Sequence, residues 1–499
     1  MARKARMAFQ RIYEINTRPW LTDMVLAGIM PVTDLALVPE EYIQQWQRWQ
    51  IDAIWLMGVW EPSPYSAWVA RTSADIMLGC QRALEECTLD DCVSSPYAVR
   101  GYTVSALLGG LEGLLHLRQR LQEAEMKLLL DFVPNHTACD HPWVTAHPEY
   151  YVQGTPEQVA TAPREFLPVQ TVHGLRYIAY GRDPYFPPWL DVAQLNYSQA
   201  DLQHAMQTEL LRLSQWCDGV RCDMAMLCLS EVFQRTWGRL GVPTPLQEFW
   251  QETIPTVRAH CPQFCFIAEV YWGLEACLQA LGFSLTYDKE WYDALLVRDT
   301  GRLRRGRQHS RATLETQLRF LENHDESRAA SRYSEAQEEA AAVATLTLPG
   351  AVVLYDGQIE GRRIREPVQL RRRQPEPIDQ RLQAFYERLL TLRDIRQGVF
   401  YPLQPGSAWE GNGTWQAFLA WGWSQGTTCW LVVINYADVT SQCYLNLAEL
   451  PLSAEVLYFK DLLHPDIVYE RHRSDVQQQG MYFEIPPFGT HLFTIQSRL

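Results

Sequence analysis

The segment GVRCDMA (219–225) sets Arg221 and Asp223 two residues apart inside a short apolar run. Two apart on an extended strand, they project to one face, where a guanidinium orients a carboxylate and favours its charged form. Three further apolar runs end on groups of the same kind: Asp131 in LLLDFVPNH, Glu269 in FIAEVYW, and His324 with Asp325 in FLENHDES. Any one acid at a strand end is as readily a solvated loop residue or a helix N-cap. Buried carboxyl groups are costly unless paired or functional. Asp223, Glu269 and Asp325 converging on one cleft would therefore be a set built for acid–base and nucleophilic chemistry.

Such a set needs a scaffold that carries strand ends distant in sequence to one place. Short runs rich in Ile, Val, Leu and aromatics recur at 11–16, 52–59, 127–133, 218–224, 264–270, 283–288, 318–323 and 351–356, with helix-like stretches such as 111–126, 202–216 and 334–348 between them. Strands alternating with amphipathic helices imply βα units and a parallel sheet. Eight of them are the count of a (β/α)8 barrel, whose active site lies at the C-terminal ends of the strands. The pattern breaks twice. Residues 137–190 are rich in Pro, Gly and aromatics without helical periodicity and read as an insertion after strand three. From about residue 398 short alternating strands take over (WQAFLAW, CWLVVINY, CYLNL, VLYF, MYFEI) and predict a small all-β sandwich. The expected organisation is a barrel from 1–136 and 191–397, an inserted domain from 137–190 and a C-terminal sandwich from 398–499.

Bulk properties narrow the partners. The chain has 499 residues, 47% of them hydrophobic, and a net charge of −14. That balance disfavours nucleic acid or an anionic membrane surface and suits a neutral substrate. Two arginine-rich runs, 302–311 and 361–373, read as solvated or internally paired surfaces. Twelve scattered cysteines show neither CxxC nor small-domain spacing, so no zinc site or disulfide framework is expected. The basic first residues lead into no apolar h-region and no run of about 18 apolar residues occurs, so a soluble cytoplasmic protein is expected.

DFVPNH, GVRCDMA, AEVYW and FLENHD, in this order, resemble the four signature segments of the α-amylase family, glycoside hydrolase family 13. SSPYAVRGY (94–102) resembles its loop after strand two and LPGAVVLYDGQIEG (348–361) its strand eight. The resemblance implies a retaining glycosidase acting on α-1,4 bonds of starch, glycogen or malto-oligosaccharides. By motif position Asp223 is its nucleophile, Glu269 its general acid/base and Asp325 a third acid that binds sugar hydroxyls and helps distort the ring. Arg221 positions the nucleophile; His136 and His324 contact hydroxyls of the sugar at the cleavage site, Tyr97 stacks on it, and Arg328 follows the fourth motif as a further substrate contact. Trp143, Trp189, Trp272 and Trp291 are candidate platforms for further glucose units, although most aromatics must be core.

Family members often hold calcium between barrel and insertion, using the Asn before the first-motif His and an Asp in an LPDLN-like stretch. Asn135 is present, but in LDVAQLN (190–196) Gln194 falls where that Asp would be, and no cofactor is expected to be required. Asp191 would serve only in a different register. Exo-acting relatives commonly carry Asp after the stacking Tyr; here Ala98 stands there, which implies a cleft open to longer chains. Cys222 and Met224 are expected to face away from Asp223 and pack. A 4-α-glucanotransferase or trehalose-synthase-like isomerase using the same acids is the competing activity. A non-catalytic glycan-binding relative is a third reading, disfavoured because all three acids are present.

Overall fold

The computed structural model describes residues 9–496. Eight parallel strands close a barrel: β1 Arg11–Asn16, β2 Ala53–Met57, β3 Lys127–Phe132, β4 Gly219–Cys222, β5 Cys265–Ala268, β6 Leu285–Tyr287, β7 Gln317–Arg319 and β8 Ala351–Tyr355. Strand order around the barrel follows chain order, the arrangement expected of successive βα units. Parallel strands covered on both faces read as unbroken apolar runs, and every residue of β1, β2 and β8 is buried. Helix Ala200–Leu213 buries Leu202, Met206, Leu210 and Leu213, the one-sided stripe that helical periodicity requires. Gly219 opens β4 because nothing larger fits: a Cβ there would lie 2.6 Å from the Cys265 carbonyl oxygen.

The chain divides into two compact units. The first holds the chain up to Gln47, Ile51–Tyr287 and Ile364–Pro375; the second holds Arg48–Gln50, Asp288–Arg363 and the chain from Glu376 onward. Strands β1–β6 belong to the first, β7 and β8 to the second.

Within the first unit the inserted segment carries a four-stranded antiparallel sheet in the order His136–Ala138, Trp189–Gln194, Gly174–Gly181, Phe166–Thr171. The segment 364–375 is tied to the loop ahead of Tyr97. Arg372 grips Asp91 through two contacts, Nε–Oδ1 at 2.6 Å and Nη2–Oδ2 at 3.1 Å, and Val93 N–H donates to the Gln369 carbonyl. Burial opposes the Asp91 charge, but Arg372 and Thr88 outweigh it and hold this carboxyl well below the usual carboxylate range. One end of the arginine-rich run 361–373 is thus internally paired and anchors a loop that carries a site residue.

Within the second unit β9 Val399–Pro402, β10 Pro405–Gly406, β11 Phe418–Gln425, β12 Thr428–Asn435, β13 Ser441–Leu445, β14 Val456–Asp461, β15 Val468–His472, β16 Met481–Ile485 and β17 Thr490–Gln496 form two antiparallel sheets. Their orders are β9-β11-β12-β17-β14-β15 and β10-β13-β16. Leu431, Val433, Phe459 and Phe493 of the larger sheet pack with Cys443, Phe483 and Ile485 of the smaller in one core, the expected sandwich. Among the described residues no helix is long and apolar enough to cross a membrane.

Candidate active site

Strand β4 ends at Cys222, and Asp223 follows with its N–H on the Phe132 carbonyl at 2.8 Å. Arg221 is 1% exposed. Its Nη1 lies 2.7 Å from Asp223 Oδ1 and 3.5 Å from Asp131 Oδ1, and its Nη2 lies 2.7 Å from Glu269 Oε2. The last contact is an ion pair by distance rather than an aligned hydrogen bond. Nε donates to the Tyr287 hydroxyl at 3.3 Å. The rings of Tyr97, Trp55 and Tyr287 stand 5.1, 5.5 and 5.8 Å from the guanidinium carbon. Burial alone would weaken the Arg221 charge; Glu269, the two phenols and Asp223 outweigh it and raise the pKa well above its ordinary value. One permanent cation therefore gathers three buried carboxyl groups from the ends of β3, β4 and β5.

Glu269 follows β5 and is 3% exposed. Its Oε2 also accepts the Met224 N–H at 2.6 Å, and its Oε1 accepts from the Tyr271 hydroxyl at 2.8 Å. Met224 was expected simply to pack on the far face with Cys222. Cys222 does, fully buried, but the strand has ended by Met224. That residue is half-buried at φ 43°, in the left-handed region. The turn spends a left-handed conformation at a side chain that disfavours it and aims the amide at the acid. Trp272, three residues beyond Glu269, has φ 66°, so both acids are followed by a non-glycine left-handed residue.

His136 is buried beside the Trp189 ring at 5.4 Å. Asn135 Nδ2 lies 3.2 Å from its Nδ1. Burial pulls the His136 pKa down to about 4, against Asp191 and a hydrogen bond with the Tyr97 backbone, so the ring is neutral near pH 7. Asn135 and Gln194 form a closed amide pair: Asn135 Nδ2 donates to Gln194 Oε1 at 3.2 Å, and Gln194 Nε2 reaches Asn135 Oδ1 at 3.0 Å and the Asn135 carbonyl at 2.9 Å. The oxygens a calcium ion would take from Asn135 thus face an amide donor. Asp191 accepts from Ser66 Oγ at 2.7 Å, with its pKa raised by burial. This donor set does not fit calcium, which needs several converging oxygens.

In the second unit β7 leads into the fourth motif. Asn323 Oδ1 accepts the N–H groups of Asp325 and Glu326, each at 2.9 Å, a local turn that presents Asp325 with 44% of its side chain exposed. His324 Nε2 lies 3.0 Å from Asp325 Oδ2. Arg328, expected as a substrate contact, is fully buried. Its Nη1 holds Glu322 Oε1 and the Asp356 carbonyl, each at 2.8 Å, and its guanidinium sits 4.1 Å from the Tyr355 ring centre. Glu322 Oε2 accepts the Ala329 N–H at 2.5 Å. Arg328 therefore pins the motif loop to the end of β8 from within.

Within the first unit the structure brings together Arg221, Asp223, Glu269 and Tyr97; within the second it places His324 against Asp325. Sequence reading missed Tyr271, Tyr287, Trp55 and the Met224 amide. Tyr271 is two residues beyond Glu269, the spacing that marked Arg221 and Asp223, so that signal was available; the Met224 turn had none. Of the four tryptophans singled out, Trp291 is core, its Nε1–H on Thr345 Oγ1 at 3.1 Å. Trp272 is exposed and meets the exposed Tyr185 edge to face at 4.9 Å.

Residues 41–284 match the family model described as Alpha amylase, catalytic domain. A curated relative, the alpha-amylase MalA of Haloarcula japonica, is 25% identical over 325 residues, 61% of this chain. The match spans only 42% of that relative's length. Solved structures share the fold over nearly the whole chain. An alpha-amylase from Lactobacillus plantarum superposes with a TM-score of 0.65 at 19% identity, covering 97% of this chain and 98% of its own. An alpha-amylase from Geobacillus thermoleovorans complexed with acarbose gives 0.66 at 16%, covering 99% and 100%. A debranching enzyme from Nostoc punctiforme, soaked with acarbose, gives 0.63 at 16%, covering 98% of both chains.

Proposed function

We propose that this chain is a member of the α-amylase family and a retaining glycoside hydrolase cleaving α-1,4 bonds of starch, glycogen or malto-oligosaccharides, a reading supported by the match of residues 41–284 to the family's catalytic domain. The observation that carries this reading is the single Arg221 guanidinium shared by Asp223 and Glu269 at 2.7 Å each, a close pairing suited to double displacement. Asp223 attacks the anomeric carbon while Glu269 gives its proton to the leaving oxygen. Glu269 then takes a proton from water, whose oxygen attacks the same carbon and releases Asp223. Oε2 of Glu269 is held by Arg221 and the Met224 amide. Oε1 faces the Tyr271 hydroxyl, which can donate to a carboxylate or accept from a carboxylic acid, so Oε1 is the oxygen assigned the mobile proton. By their motif positions, neutral His136 is assigned to a sugar hydroxyl and Tyr97 to stacking on a sugar ring, and His324 and Asp325 are assigned a hydroxyl contact and the role of third acid. Tyr185 and Trp272 offer an aromatic face to a further sugar.

Transfer of the glycosyl group to a sugar hydroxyl runs through the same intermediate and is the second reading. Ala98, 2% exposed after Tyr97, places no charged gate there, which favours long donors and acceptors. The twelve free cysteines favour a reducing, cytoplasmic setting. The Asn135–Gln194 pair leads us to propose that no calcium is required; activity and unfolding temperature are expected to be unchanged after chelation and dialysis. Asp223→Asn and Glu269→Gln are expected to abolish release of reducing ends from soluble starch and maltoheptaose. Unaltered rates in either variant would overturn the mechanism, and longer products without new reducing ends would replace hydrolysis by transfer.

A further inference from the structure

In the second unit β14 ends on Asp461, a fully buried carboxylate. Its Oδ1 accepts the backbone N–H groups of Leu463, His464 and Leu492 at 2.9, 3.3 and 3.4 Å. Its Oδ2 is aimed between two imidazole nitrogens, 2.6 Å from His491 Nδ1 and 3.1 Å from His464 Nδ1. Those histidines are its ion-pair partners among the described residues. A carboxylate sealed in a β-sandwich is costly without a cation, and neither partner carries a permanent charge.

We propose that Asp461, His464 and His491 form a site for a divalent first-row transition ion, zinc being the closest match. One ligand atom from each lies within 4.8 Å of the others. Two imidazole nitrogens and one carboxylate oxygen are a borderline set that suits zinc, cobalt or nickel, whereas calcium and magnesium take oxygen ligands. Zinc bonds of about 2.0–2.1 Å in a tetrahedron set neighbouring ligand atoms roughly 3.3 Å apart. The 3.1 Å edge is already close to that, and the 2.6 Å edge opens by several tenths of an ångström.

The scaffold is prepared on two sides. His491 stands on β17, which pairs with β14 through Asp461 and Phe493, and its ring stacks on Phe493 at 5.0 Å and 19°. His464 is three residues beyond Asp461 in the turn to β15, with 53% of its side chain exposed. That exposure supplies an entry path and leaves the fourth position to water. A bound ion would clamp this turn onto β17 and steady the sandwich without touching the glucan chemistry.

The test uses chelator-treated full-length protein, titrated with zinc chloride by calorimetry and with cobalt chloride by visible absorption. One zinc ion per chain is expected, together with a cobalt spectrum free of sulfur charge transfer and a rise in unfolding temperature on adding zinc. His464→Ala, at a half-exposed position, is expected to fold, keep its activity on starch, and lose both the isotherm and the thermal increment; His464→Cys restores them, which a purely structural histidine would not do. Equal zinc binding by wild type and His464→Ala would move the ion to the cysteines and overturn the proposal. So would an absence of stoichiometric binding with an unfolding temperature that follows histidine protonation alone, which would make the trio a proton site.

Discussion

At the end of β4 three buried carboxyl groups surround one guanidinium, whereas at the end of β14 one buried carboxylate meets two imidazoles and three backbone amides. Both arrangements answer the same cost of burying charge. Arg221 answers it permanently, since a guanidinium keeps its proton at any working pH. The carboxylates around it are therefore held in place whatever the solvent offers, the preorganisation that catalysis at developing charge requires. Asp461 is answered conditionally, by imidazoles that become cationic only on taking a proton or that would share a bound metal ion with it. A permanent cation suits a reaction site; a conditional one suits a site that responds to its surroundings.

The largest expected effect separates the two directly. Arg221→Met keeps the side-chain volume and leaves Asp131, Asp223 and Glu269 around no charge. Its kcat/KM on maltoheptaose is expected to fall by about 10³-fold, and denaturant titration to show a loss of about 3–5 kcal/mol, the penalty of stranding buried partners of a broken ion pair. Asp461→Asn is expected to leave kcat/KM at the wild-type value while lowering the unfolding temperature. If both variants lost activity alike, the division into a reacting and a responding cluster would fail.

A smaller effect sharpens the first cluster. Tyr271→Phe removes the hydroxyl on Glu269 Oε1 and leaves the Arg221 and Met224 contacts on Oε2. The expected result is a fall in kcat of roughly tenfold to a hundredfold with KM little changed, since the lost contact lies on the proton that moves rather than on the bound sugar. A rise in KM at constant kcat would assign Tyr271 to sugar binding.

The contrast also explains what the amino-acid order disclosed. Runs buried on both faces are continuous in sequence, so all eight barrel strands were legible to within a few residues. The insertion's sheet was not: its strands mix polar residues, Phe166–Thr171 contains Pro168, and the hairpin turns through Val172 and His173 before Gly174 at φ 91°. In the sandwich β16 alternates cleanly and was legible, whereas β15 is largely exposed and reads as loop. Arg221 and Asp223 lie two apart, so strand geometry alone joined them. Asp461, His464 and His491 are joined only by the pairing of β14 with β17, a long-range register that no local spacing reports. Arg328 sat correctly in its motif, but its burial against Glu322 and Tyr355 depends on β8 and could not be read from the motif.

The smallest effect concerns an acid that neither strategy serves. Glu338, in helix Glu335–Leu346, is 2% exposed, with the Tyr386 hydroxyl donating to its Oε1 at 3.3 Å. Burial, reinforced by the charge of Glu322, pushes its carboxyl from the ordinary 4.5 up to about 8. The folded state therefore holds a proton that the unfolded state has released between those two values, and stability from this group is lost as pH rises through that window. Glu338→Gln keeps the shape and hydrogen-bonding capacity without the titration. Its unfolding temperature is expected to match wild type near pH 5 and to exceed it by a few degrees at about pH 9. Parallel profiles for the two proteins would mean that Glu338 finds a compensating cation when it ionises, and the contrast between permanent and conditional charge would then extend to one fewer buried acid.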